Sequence, residues 1–235
     1  MNTSFAYILN RRAFRDSSFL LDIFTQDFGR ICCVARPAKK RGKIVTGNLE
    51  PFRYLHLNWV GKGEVQTLTE ADERGRHAIP PSEMMLGLYL NELILLLTRQ
   101  HVASPELFSA YKYTLHKLGD PVINHQVMMR FELYLLATLG YPIATHSNAE
   151  ISPNISYRFT LEGGVNHNEV APLEAEHEEN QAMQGVLIQG ELLLAMQNMQ
   201  TLQDHHWKQL RTFLDEVFKR LAPRPIQARR LLRDL

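Results

Sequence analysis

Through the first 70 residues, apolar and polar positions alternate in short runs rich in Ile, Val, Leu, Phe and Tyr. A period of two sends one face of a strand into a core and the other into solvent. The runs 4–10, 19–25, 31–36, 52–59 and 64–70 therefore predict five strands. Turn signals separate them at Asp27-Phe28-Gly29, over 42–48 and at Gly61-Lys62-Gly63. Five short strands in so few residues suit a small closed barrel, of the OB type or of an SH3-like relative. Periodicity does not separate the two.

After Ile79-Pro80-Pro81 the period becomes helical. Behind Ser82, an N-cap residue type, Met85, Leu86, Tyr89, Leu90, Leu93, Leu96 and Leu97 recur at helix spacing. Ser104-Pro105-Glu106 is a helix start, with Pro at the first position and an acid in the first turn. That helix should run to Leu118 and stop at Gly119, and a third is expected over 122–139 before Gly140. Tyr157 to Leu161, followed by Glu162-Gly163-Gly164, reads as half of a hairpin and its turn. The stretch 174–184 is acidic and nearly devoid of large apolar residues, which predicts a solvated loop. Helical spacing returns over 190–197 and 202–221, and a short basic helix is expected over 226–235, beyond Pro223 and Pro225. The expected class is α+β: a barrel over 1–78, then a mainly α-helical domain over 79–235 with a small β insertion at about 146–184.

Charge changes this picture. The chain has 235 residues, with 26 Lys and Arg against 25 Asp and Glu, so the total of +1 argues on its face against a polyanion partner. By segment the balance is +5 over 1–78, −1 over 79–145, −8 over 146–206 and +5 over 207–235. Two basic ends flank an acidic middle, and such blocks attract polyanions locally even in a neutral total.

The two cysteines, Cys32 and Cys33, are adjacent in a strand and point to opposite faces, so no bridge between them is expected and a reducing cytoplasm fits. No leader pattern and no membrane span is expected, since the longest apolar stretch is broken by Asn91 and Glu92. Catalytic signatures are missing: there is no G-x-x-x-x-G-K-S/T loop, no G-x-S-x-G elbow and no C-x-x-C pair. His167 and His177 lack a fixed ligand spacing, His205-His206 reads as solvent-facing, and no metal or cofactor is expected. A nuclease built on the acidic 174–179 cluster would need carboxylates fixed by structure, which a loop does not supply.

The stretch Arg36-Pro37-Ala38-Lys39-Lys40-Arg41-Gly42-Lys43 places five cations in eight residues between two strands, a pattern that neutralises phosphates without reading sequence. Arg11, Arg12 and Arg15 lie near the end of the first strand and extend it. Of the nearby rings Phe14, Phe28, Phe52, Tyr54 and Trp59, the candidate stacking platforms are Phe52 and Tyr54. A second basic stretch holds Arg224, Arg229 and Arg230, with Leu231 and Leu232 expected to dock its helix.

Several strings taken together resemble one family. Arg11-Arg12-Ala13-Phe14-Arg15-Asp16 before Leu20-Leu21-Asp22-Ile23-Phe24-Thr25 and Gly29-Arg30 is similar to the opening of the bacterial recombination-mediator family RecO. So are Val34-Ala35-Arg36 with its trailing cations, Leu49-Glu50-Pro51-Phe52, the run from Trp59 to Leu68, the run from Gly87 to Leu93, Arg130-Phe131-Glu132-Leu133 and Leu139-Gly140-Tyr141. The resemblance spans nearly the whole chain. It implies an N-terminal five-stranded OB fold and a helical domain. It also implies a non-enzymatic role: binding single- and double-stranded DNA, annealing strands and helping load RecA onto DNA coated by single-stranded-DNA-binding protein, within the RecF pathway. RecR and the acidic C-terminal tail of the coating protein are the implied partners, in the cytoplasm at the nucleoid. Two departures stand out: Pro37 replaces the family's usual Gly, and no cysteines flank Gly163-Gly164, so the structural zinc of many members is not expected.

For an acidic partner peptide ending in Phe, Arg130 is the best-placed cation, with Lys112 and Lys117 assisting. The competing expectation is a protein-interaction adaptor whose DNA binding is incidental.

Overall fold

The structure is a computed structural model that describes residues 1–15, 17–36, 49–119, 124–143, 151–171, 185–197 and 202–231, with the backbone alone at Asn124, 166–171, Arg230 and Leu231. The chain divides into two compact units, Met1–Met128 with Arg224–Leu235, and Met129–Pro223.

In the first unit five strands close into a barrel: β1 (Asn2–Phe14), β2 (Ser18–Thr25), β3 (Gly29–Ala35), β4 (Arg53–Val60) and β5 (Val65–Arg76). Their order is β1-β2-β3-β5-β4, and β4 pairs back on β1 from Asn2↔Trp59 to Ala6↔Leu55. Only β3 and β5 run parallel within the barrel, from Cys32↔Val65 to Val34↔Thr67. This is the OB arrangement, and it decides between the two barrels that the alternation allowed. The inward positions Ala6, Ile8, Leu21, Ile23, Ile31, Cys33, Leu55, Leu57, Trp59 and Leu68 form the core. Both thiols are free, and burial pushes that of Cys33 up to about 12. Gly29, with φ of 66°, makes the β2–β3 turn, where an added Cβ would lie 2.0 Å from the Val102 carbonyl oxygen.

Two helices, α1 (Met84–Leu97) and α2 (Pro105–Lys117), belong to the same unit as the barrel. A 3-10 turn over Pro81–Glu83 precedes α1, so Glu83 rather than Ser82 takes the N-cap position. The tandem prolines explain the shift, because Pro81 opens the 3-10 turn and Glu83 N–H closes it on the Pro80 carbonyl. The register of β1 slips between Ile8 and Asn10, and the Leu9 carbonyl accepts a hydrogen bond from Asn91 Nδ2 of α1 at 2.9 Å. Asn91 Oδ1 in turn accepts the Tyr111 hydroxyl of α2. Tyr7 and Phe24 on the barrel pack edge-on or tilted against Phe108 and Tyr111 of α2. A short α6 (Gln227–Leu231) closes the unit.

Helix α3 (Asn124–Thr138) leads into the second unit. There β6 (Ser156–Thr160), β7 (Gly164–Ala171) and β8 (Val186–Gln189) form a sheet in the order β7-β6-β8. The expected hairpin is therefore a three-stranded sheet, with β8 returning from the acidic stretch to pair with β6. Helices α4 (Gly190–Met196) and α5 (Asp204–Leu221) pack with it, and Phe159 meets Phe213 edge to face at 5.5 Å. Inside this unit the fully buried Glu132 carboxylate accepts two hydrogen bonds from Arg211, at 2.8 and 3.0 Å.

Candidate nucleic-acid interface

The charge blocks map onto the two units. The first carries 20 basic and 13 acidic residues, a net +7, and the second 6 and 12, a net −6. The near-neutral total is thus the sum of one cationic body and one anionic body.

Strand register gathers the cations of the first unit. β1 and β2 pair Arg11↔Leu21, Arg12↔Leu20, Ala13↔Phe19 and Phe14↔Ser18, and β3 brings Ala35 against Phe19. The end of β1, the β1–β2 turn and the end of β3 therefore meet at one rim of the barrel. Arg11, Arg12 and Arg15 stand there beside Arg36, which follows Ala35. Arg12, Arg15 and Arg36 are exposed, while Arg11 pairs with Glu50 at 2.8 Å. Lys39, Lys40, Arg41 and Lys43 lie outside the described residues, as does Pro37, in the sequence between Arg36 and Leu49.

Two rings occupy the same rim. The Arg11 guanidinium lies over the Phe19 ring at 4.8 Å, and that of Arg15 over the Phe14 ring at 5.3 Å. Arg15 holds φ at 54°, a left-handed conformation that costs a non-glycine residue about 1 kcal/mol. Both rings are half-buried.

The rings singled out from sequence sit elsewhere. Phe52 is 9% exposed, and a Cβ on Gly87 of α1 would come within 2.8 Å of its ring, so Phe52 packs the barrel against that helix. Tyr54 stacks on Phe5 at 5.0 Å and carries the Lys112 ammonium at 3.9 Å from its ring centre. Phe5, exposed on β1, had no signal beyond being one aromatic in an alternating run. Next to this group Tyr7 Oη and His77 Nε2 share a hydrogen bond of 2.8 Å. Burial, then the nearby His116 and Lys112, push His77 down to about 4, so it is neutral at pH 7.

The C-terminal cations return to the first unit through a cap. Glu92 on α1 accepts the backbone N–H groups of Gln227 and Ala228 at 2.9 and 2.8 Å, placing a carboxylate on the start of α6. Ile226 and Ala228 are buried there, whereas Leu232 lies outside the described residues. Arg224 is exposed and Arg229 half-buried, and for Arg230 only the backbone is described. Of the peptide-binding candidates, Lys112 and Lys117 belong to this first unit, the latter over the Tyr113 ring at 5.8 Å. Arg130 belongs to the second, exposed, with its guanidinium 5.6 Å from the Trp207 ring centre.

One cluster of possible metal donors occurs among the described residues. Glu191, His205 and His206 bring one donor atom each within 4.8 Å of one another. His206 is buried rather than solvent-facing, because it sits at the third position of α5 and its Nδ1 accepts the Gln203 N–H at 3.2 Å. Its Nε2 lies 3.4 Å from Glu191 Oε1 without a hydrogen bond between them. His205 Nε2 and Glu191 Oε1 share a hydrogen bond of 3.3 Å, and His205, with His206 beside it, holds the Glu191 carboxyl below its ordinary value. His177 lies outside the described residues, and for His167 only the backbone is described. No described helix is long and apolar enough to cross a membrane.

Two family models match, the N-terminal domain of recombination protein O over residues 1–74 and its C-terminal domain over residues 81–230. A protein of Alkalilimnicola ehrlichii named DNA repair protein RecO is 33% identical over 235 residues, covering 98% of this chain and 90% of that protein. One of the same name from Aromatoleum aromaticum is 32% identical over 98% of this chain and 94% of its own length. Another, from Halorhodospira halophila, is 35% identical over 68% of this chain and 69% of its own.

Proposed function

Because this chain belongs to the recombination protein O family of DNA repair proteins, we propose that it is a non-enzymatic recombination mediator that binds DNA at the barrel rim. The observation that supports this most is the strand register, which sets Arg11, Arg12, Arg15 and Arg36 around the point where the stretch with Lys39, Lys40, Arg41 and Lys43 departs. These cations neutralise phosphates of single and double strands alike. Arg224, Arg229 and Arg230 add a second phosphate-binding stretch within the same unit. The principal nucleic-acid-binding region is residues 1–78, and 79–235 carries the partner sites besides that second basic stretch.

Annealing requires no bond chemistry. Two strands with part of their charge neutralised approach each other, and loose phosphate contacts let them slide until bases pair. Within the RecF pathway this would clear DNA coated by single-stranded-DNA-binding protein and favour RecA loading, with RecR as partner. Arg130 on the second unit is the proposed contact for the acidic tail of the coating protein, and Lys112 and Lys117 are separate candidates on the first unit, in a cytoplasmic, nucleoid-associated setting.

The test is annealing of labelled complementary strands, bare or coated, with a tailless coating protein as the comparison. The wild type should speed annealing of bare strands, and of coated strands only when the tail is present. Replacing Lys39, Lys40 and Arg41 by Ala should abolish the acceleration. Intact tail binding with no DNA binding would overturn the mediator reading in favour of an adaptor.

A further inference from the structure

The structure assigns base stacking to Phe14 and Phe19, the two rim rings, each of which carries a guanidinium over its face. This deepens the DNA reading above and rests on it. Four observations converge. Both rings are half-buried, and Phe19 is anchored by packing against the barrel core. Each lies beneath a cation, Arg15 at 5.3 Å and Arg11 at 4.8 Å. The register sets them on adjacent strands at the same rim but on opposite faces of the ribbon, Phe19 on the side of the barrel core and Phe14 on the other. The turn between them holds Arg15 in a left-handed conformation, with its guanidinium over Phe14.

A nucleotide offers a flat base and an anionic phosphate a few bonds apart. A ring with a guanidinium beside it matches both parts, because the base takes the ring face and the guanidinium shifts onto the phosphate. A duplex keeps its bases stacked within itself and offers no free base face to a ring. Rim cations therefore hold either form, whereas the rings reward a single strand. A second aromatic group on the barrel, Phe5 with Tyr54, offers less. Tyr54 is already stacked with Phe5 under Lys112, and its strand β4 pairs His56 with Asp72 and Asn58 with Glu70, acids that repel phosphates.

The experiment compares Phe14→Leu and Phe19→Leu with wild type in the full chain, by fluorescence anisotropy on a labelled oligothymidine and on a duplex of equal length. Leucine keeps apolar bulk and removes the π face. Each change should weaken single-strand binding about tenfold, leave duplex binding within about twofold and leave the salt dependence unchanged. Phe19→Trp should retain the single-strand affinity, and thermal melts of all variants establish that they are folded. Unchanged single-strand affinity in both Leu variants, or equal losses on single strand and duplex in folded protein, overturns the stacking role while leaving the phosphate site standing. Absence of DNA binding by the wild type would remove the DNA reading itself, and the stacking role with it.

Discussion

Arg211 of α5 grips the Glu132 carboxylate of α3 with both terminal nitrogens, at 2.8 and 3.0 Å, and Glu132 has no exposure to solvent. The Arg211 Nε donates to Asp215 one turn along the same helix. A buried carboxylate is tolerable only while its partner stays in place. Removing the guanidinium by Arg211→Ala should cost about 3 kcal/mol, and replacing both residues by Met should cost much less than that single change. Urea denaturation checks both, and a double change as damaging as the single one would contradict the account.

A second carboxylate acts across a long stretch of chain. Glu92 caps α6 and so ties Gln227 and Ala228 to α1. Glu92→Ala should cost about 1 kcal/mol, the usual scale for a lost cap. Amide exchange should speed over Gln227 and Ala228 more than over β1 or β2. Equal acceleration everywhere would show that the cap has no local role.

His77 supplies a pH dependence. Its pKa in the folded chain lies near 4 against an ordinary 6.5, so the unfolded chain takes up the proton first. Stability from this group is complete above about pH 6.5 and declines as pH falls towards 4. Allowing for partial exposure, the loss should reach about 1 kcal/mol by about pH 5. His77→Gln should flatten that part of the profile, and an NMR titration should place the ring near 4. A midpoint near 6.5 would contradict the burial argument.

Much of the barrel was legible because its core alternates: Leu21, Ile23, Ile31, Cys33, Leu55 and Leu57 recur every second residue. Which of the two barrel types it forms was not, since the β3–β5 and β1–β4 pairings that decide it are long-range and leave no local signature. Pro80-Pro81 marks the change from strand to helix, but the division into compact units falls elsewhere. Asn91 and the rings of α2 tie α1 and α2 to the barrel through a bulge carbonyl at Leu9, which no residue pattern announces. β8 escaped notice because four residues between an acidic stretch and a helix carry too little periodicity. At the rim the cations were legible from composition alone. Which rings accompany them was not, because Phe14 and Phe19 meet Arg15 and Arg11 only through turn geometry and register.

Buffer salt tests the central claim most directly. If the rim and its basic stretch neutralise about five phosphates, the logarithm of the single-strand binding constant should fall against the logarithm of salt with a slope of roughly −3.5. Replacing Lys39, Lys40 and Arg41 by Ala should cut the slope to roughly −1.4 in protein that remains folded. A slope near zero in the wild type would contradict phosphate neutralisation as the basis of this protein's function.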